Sequence, residues 1–156
     1  MSRKKKSKKR IIPQDAVYNS VLVSSLINKI LIDGKKTIAQ RIVYGALQNI
    51  KNYTKKNPLE ILGKAIKNIA PKIELKSKKV RGATYKIPVE IKITRSRSLA
   101  LKFLVKSARK RPGRSMIVKV GNEILDAYNN TGTSVKKKDE IYKIAEANKA
   151  FTSLKF

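Results

Sequence analysis

Between Ile91 and Asn122 the chain carries ten Lys and Arg residues and not one Asp or Glu. They are Lys92, Arg95, Arg97, Lys102, Lys106, Arg109, Lys110, Arg111, Arg114 and Lys119. Lys102, Lys106, Arg109 and Lys110 recur at intervals of three and four, which on a helix makes one cationic stripe. Like charges so spaced repel and weaken an isolated helix, so an anionic partner is needed to offset them. A merely solvated face normally mixes Glu with its Lys, and this one does not. Arg111 and Arg114 flank Pro112, whose ring stiffens the turn, and a guanidinium fork grips phosphate at two points where an ammonium grips at one. The chemistry within reach of these residues is phosphate binding.

The rest of the chain repeats the bias. Its 156 residues hold 38 Lys plus Arg against 10 Asp plus Glu, a formal net charge of +28. Solubility asks for only about 2–8 charges on a small domain. The surplus points to a polyanion, with nucleic acid the first candidate. Residues 2–10 alone contribute Arg3, Lys4, Lys5, Lys6, Lys8, Lys9 and Arg10 with no acid, and read as a flexible basic arm over positions 1–12. Aromatic residues are only 6% of the chain and Trp is absent. The tyrosines are not spaced as a stacking platform, so recognition is expected to be of shape and phosphate position.

Several classes drop out. With no Cys and no His, disulfides, common zinc sites and Cys- or His-based catalysis are excluded. Glu123 with Asp126 and Asp139 with Glu140 could hold a divalent ion, but surface charge on helices is the expected reading of both pairs. No catalytic residue, metal, cofactor or small-molecule substrate is expected. No apolar run nears the roughly 20 residues of a membrane span, and the basic start runs into "IIPQDAVYNS" rather than an apolar signal core. Gly34-Lys35-Lys36-Thr37 has the look of a phosphate loop, but position 29 is Lys where the first Gly belongs, and Lys36 stands where Ser or Thr should follow the Lys. Lys35 and Lys36 are instead phosphate ligands beside the first amides of a helix.

The elements that must carry these cations follow from period and punctuation. A first helix begins near Asn19, with Val23, Leu26, Ile27 and Ile30 on one face, and stops at "DGKK". Thr37 opens a second, its stripe running Ile38, Ile42, Ala46 and Ile50 with Val43 and Leu47 beside it. Asn57-Pro58 caps and starts a third, which Pro71 ends. Then "IELKSKKVRGATYKIPVEIKI", residues 73–93, alternates as a two-stranded ribbon with Arg81-Gly82-Ala83 as its turn and Gly82 the site for positive φ. Lys76, Lys78, Lys79, Arg81 and Lys86 crowd its tip, and such a tip cannot belong to a core. Ser96 or Ser98 caps a fourth helix with Leu99, Phe103, Leu104 and Ala108 inward; Ser115 starts a fifth; Thr133 or Ser134 caps a sixth with Ile141, Ile144, Ala145 and Asn148 on one side. The fold class is mainly α: a six-helix body, one RNA-binding domain over 13–156, with a β-hairpin protruding between helices 3 and 4.

Four stretches in this order carry a resemblance: "SVLVSSLINKILIDGKKTIAQRIVYGA", "KSKKVRGATYKIPVEI", "ARKRPGRSM" and "KKKDEIYKIAEANKAF". Together they resemble the universal small-subunit ribosomal protein seven family of bacteria and plastids. "NPLEILGKAI" and "RPGRSM" are similar to plastid members in particular, as is the Lys-, Asn- and Ile-rich composition. The resemblance implies a structural protein that binds the 3′ major domain of small-subunit rRNA and starts assembly of the subunit head. It makes the arm, Lys35, Lys36, Lys76 and the cations from Lys92 to Arg114 rRNA contacts. It places Lys78, Lys79, Arg81 and Gly82 of the hairpin, with Lys136, Lys137, Lys138 and Tyr142 of the last helix, near exit-site tRNA and outgoing mRNA. Neighbouring head and platform proteins become partners, and the plastid stroma the compartment, with a bacterial cytoplasm as the alternative. The family commonly has Gly where Arg81 stands and His where Tyr142 stands. An architectural DNA-binding protein with a β-arm is the alternative function, but such arms place an apolar wedge at the tip, and this tip is Lys, Arg and Gly.

Overall fold

The computed structural model describes residues 11–80 and 82–149. Among them are six helices and one antiparallel hairpin: α1 (Val21–Ile30), α2 (Lys36–Thr54), α3 (Pro58–Ile69), β1 (Ile73–Val80), β2 (Ala83–Glu90), α4 (Ile93–Lys110), α5 (Met116–Tyr128) and α6 (Gly132–Ala147). This is the mainly α architecture the periodicity predicts, with the hairpin between helices 3 and 4.

α5 is the helix the others surround, packing against α2, α3, α4 and α6. Its Val120, Gly121, Ile124 and Ala127 are buried. At Gly121 the two helices are in ordinary contact, since a Cβ there would lie 3.7 Å from the Ala46 carbonyl oxygen of α2. Around this axis Leu26, Leu47, Ile61, Leu62 and Leu104 close a single core, each fully or almost fully buried. Each such side chain contributes on the order of 1.5–3 kcal/mol through burial, which is what holds six amphipathic helices together against the repulsion of their outer faces.

Local chemistry sets most boundaries. The Asn57 side chain accepts from the Leu59 amide at 3.0 Å, with Pro58 at the first helical position. In the hairpin, Val80 pairs with Ala83 and Ile73 with Glu90, so the register is that of a two-residue turn, and Gly82 supplies φ +86°. Among the described hairpin side chains Ile87 is the buried one, at 2% exposure, and it anchors the ribbon to the body.

Several readings are corrected. Ala83, expected in the hairpin turn, is the first residue of β2 and pairs with Val80. α4 starts at Ile93, capped by Lys92, one turn before Ser96; the Ser96 hydroxyl instead donates to the Pro71 carbonyl at 2.6 Å and ties α4 to the end of α3. Ile93, read as the last strand residue, is the first residue of α4 and stands 73% exposed. α6 is capped by Thr131, not by Thr133 or Ser134, and its inward side is Ser134, Val135 and Ala145, with Ile144 exposed. α2 turns Ala39 inward and leaves Ile38 exposed. The helix slips share a cause: a helix end with two hydroxyls or two apolar neighbours offers two registers, and tertiary contacts choose between them.

Candidate nucleic-acid interface

The fourth-helix stripe forms as the spacing predicts. Lys102, Lys106, Arg109 and Lys110 are all exposed along one side of α4. They surround, with Lys29 of α1 and the side of Val105, a shallow depression of about 370 Å³. Arg109 is held in place because its Nη2 donates at 3.1 Å to the carbonyl of Ile30, the last residue of α1. A cation at that helix end also meets the negative pole of the α1 dipole. Sequence reasoning missed Lys29; as the single cation of α1, in the helix's last turn, it carried the dipole signal that could have found it.

Two cations of the acid-free run have carboxylate partners within the fold. Arg95, at the start of α4, makes a two-pronged ion pair with Glu74 of β1, Nη2 to Oε1 at 2.7 Å and Nε to Oε2 at 3.1 Å. The Arg95 hydrogen bonds hold the Glu74 carboxyl below its ordinary range. The pair therefore steers the hairpin base against α4. Lys92 and Arg97 beside it are exposed.

Arg111 is drawn inward. Its Nε donates to Glu123 Oε2 at 2.5 Å, and its Nη2 pairs with Asp126. Glu123 has no exposed surface; its Oε1 also accepts from the Ser134 amide at 2.9 Å, the Ser134 hydroxyl at 2.6 Å and the Thr133 hydroxyl at 3.3 Å. The expectation that Glu123 is surface charge is overturned: it is a buried carboxylate satisfied on both oxygens. Among the described residues no three metal-ligating side chains come together. The turn that Arg111 begins continues through Gly113, at φ +114°, to an exposed Arg114.

Lys35 and Lys36 stand exposed where α2 begins, after Gly34 at φ +71°. No acid occupies the first turn of α1, α2, α4 or α5, so the positive poles of those helices lack the carboxylate that commonly faces them; at α6 Glu123 of α5 takes that place. On the hairpin, Lys76 and Lys79 are exposed and Lys78 is half-buried. The arm residues Arg3, Lys4, Lys5, Lys6, Lys8, Lys9 and Arg10, and Arg81 at the tip, lie outside the described residues.

The structure brings the last helix to the hairpin base. Tyr142 accepts from the Lys72 amide at 2.9 Å, and the Asn148 side chain donates to the Lys86 carbonyl at 3.0 Å. Lys138 reaches the Asn68 carbonyl at the end of α3 at 2.7 Å, and Lys137 pairs with Glu140 at 2.6 Å. Lys136 stays exposed. Two regions far apart in sequence are thus brought together on one flank. Among the described residues no helix is long and apolar enough to cross a membrane.

The family described as ribosomal protein S7p/S5e matches residues 2–149. The chain belongs to that family. Its members are structural ribosomal proteins and not enzymes. A relative named small ribosomal subunit protein uS7c, from Euglena gracilis, is 56% identical over 156 residues, the full length of both chains. Two relatives named small ribosomal subunit protein uS7 are similar over nearly as much. That of Thermotoga maritima is 50% identical over 96% of each chain, and that of Thermosipho africanus 47% over 99%.

Proposed function

We propose that this protein is a structural constituent of the small ribosomal subunit, where it binds the 3′ major domain of the rRNA and nucleates assembly of the head. The observation that carries the reading is the α4 ridge: four exposed cations joined by Lys29 around one depression, with no carboxylate among them. Lys35, Lys36, Lys76, Lys92, Arg97 and Arg114 extend this surface as phosphate contacts. The flank formed by the hairpin and α6 lines the exit-site tRNA and mRNA, with Lys79, Gly82 and Lys136 facing outward. Membership in the S7p/S5e family supports neighbouring ribosomal proteins as further partners. The full-length similarity to the plastid-type Euglena relative, together with the Lys-rich composition, supports a plastid ribosome over a bacterial one.

The test is a competition titration between a transcript of the 3′ major domain and duplex DNA of matched charge, over a series of salt concentrations. Non-specific binding falls steeply with salt for both ligands. A preference for the transcript that persists at physiological salt supports the reading. Equal and salt-labile affinities overturn it.

A further inference from the structure

On the side of the molecule where α2 and α5 lie together, two depressions of about 480 Å³ and 360 Å³ share Arg111, Val118 and Asn122 and so form one groove. The helices run the same way here, since Gly45 meets Ile117 and Gly121 meets Ala46 near one end while Tyr53 and Asn129 line the other. At 13 residues, α5 gives the groove a length of about 20 Å.

Its lining differs from the α4 ridge. Tyr53 is 82% exposed, an unusual placement for a large aromatic ring. Asn49, Asn122 and Asn129 are exposed beside it, and among the described residues none of their side-chain amides hydrogen-bonds within the protein. The carboxylate in the lining, Asp126, is paired with Arg111. Cations stand at the two ends: Arg114 and Lys119 by the turn before α5, Lys55 and Lys56 just past Tyr53.

Phosphate needs the cations at either end and can accept from amide N–H groups, but it uses neither the face of a ring nor the acceptor side of an amide. Nucleobases use both. Every base has a face that stacks on an aromatic ring, and each amide offers both a donor and an acceptor to a base edge. A duplex hides those faces and edges, so the matching ligand is unpaired. We propose that this groove binds a short run of single-stranded RNA, with its bases against Tyr53 and the asparagines and its phosphates at the two cationic ends. The inference deepens the rRNA-binding reading and rests on it.

The chain has no Trp, so Tyr53→Trp puts a sole indole in the groove of the full-length protein. We expect short oligoadenylate to quench it saturably, whereas a blunt RNA duplex and inorganic polyphosphate do not. Adding Asn122→Leu, at an exposed position, should weaken that titration about tenfold. Equal quenching by polyphosphate or duplex, or a titration indifferent to Asn122→Leu, overturns the site. Displacement of oligoadenylate by an acidic oligoglutamate at matched charge would do so too, assigning the groove to a protein segment. An unquenched indole in a protein that still prefers the 3′ major-domain transcript overturns the groove alone and leaves the rRNA reading standing.

Discussion

Arg111 and Glu123 sit twelve residues apart in sequence and 2.5 Å apart in space, and the carboxylate has no exposed surface. One guanidinium thereby fixes the α4–α5 turn onto α5. Through the second oxygen of Glu123, it also fixes the start of α6, where Ser134 donates twice. The turn that projects Arg114 is held from within, by a residue whose sequence context made it look like another phosphate contact. The division of labour is clear in this run of ten cations: Arg95 and Arg111 brace the frame, and the lysines of α4 with Arg114 face outward.

Replacing Arg111 by Met should therefore act on stability. It leaves Glu123 as a buried charge with hydroxyl and amide partners only, a loss that costs about 3–5 kcal/mol. Arg114→Met, at an exposed site two residues past Pro112, should stay within about 0.5 kcal/mol of the parent. Urea denaturation of the two variants checks the contrast; equal midpoints would show that the ion-pair cluster is not holding the turn. Charge reversal at Arg111 is consequently a poor test of RNA binding, because it sets a third carboxylate against Glu123 and Asp126.

The ridge is better tested at Lys106 and Lys110, whose ammonium groups make no ion pair among the described residues. Lys106→Glu with Lys110→Glu should leave helical circular dichroism and melting unchanged. Affinity for the 3′ major-domain transcript should fall steeply, and the slope of log affinity against log salt should flatten by roughly one for each phosphate that is no longer neutralised. Filter binding over a salt series reads both quantities. An unchanged slope would remove the ridge from the interface.

Tyr44 predicts a pH dependence unrelated to RNA. Its hydroxyl donates to Asp15 Oδ1 at 2.7 Å, while Asp15 Oδ2 accepts from the Val17 and Tyr18 amides, so the pair pins the segment leading into α1. The Asp15 hydrogen bond, with partial burial second, pushes the Tyr44 phenol up to about 12 from its ordinary 10.0. A phenol raised by folding stabilises the fold below 10.0, and that contribution is lost as pH climbs from 10.0 through about 12. Tyr44→Phe should cost about 1 kcal/mol at neutral pH and should flatten the loss above pH 10. Urea midpoints followed into the alkaline range measure both effects.

What the sequence made legible follows from how local each cause is. The number and order of the elements, the Asn57 cap, the positive φ at Gly82 and the α4 stripe rest on spacings of two to four residues and appear as read, whereas the starts of α4 and α6 do not. Arg111, Glu123 and Ser134 could not be read that way, because their partnership spans three elements and each residue taken singly looks like surface. Lys29 and Tyr53 escaped for the opposite reason: a lone cation and a lone ring gain meaning only from neighbours that other helices bring beside them.

The hairpin offers the sharpest separation of fold from function. Its fixed part is the base, where Ile87 is buried, Arg95 grips Glu74, and α6 bonds Lys72 and Lys86. Ser77 pairs with Lys86, so replacing residues 78–85 by Asn-Gly closes the ribbon at an existing rung with residues suited to a tight turn. These anchors survive that cut, while Lys78, Lys79, Arg81 and Gly82 are removed. Melting and affinity for the rRNA transcript should match the parent, and small subunits reconstituted with the shortened protein should hold exit-site tRNA less well. A shortened protein that fails to fold would make the outer hairpin structural. Unaltered tRNA retention would remove its tip from the exit site.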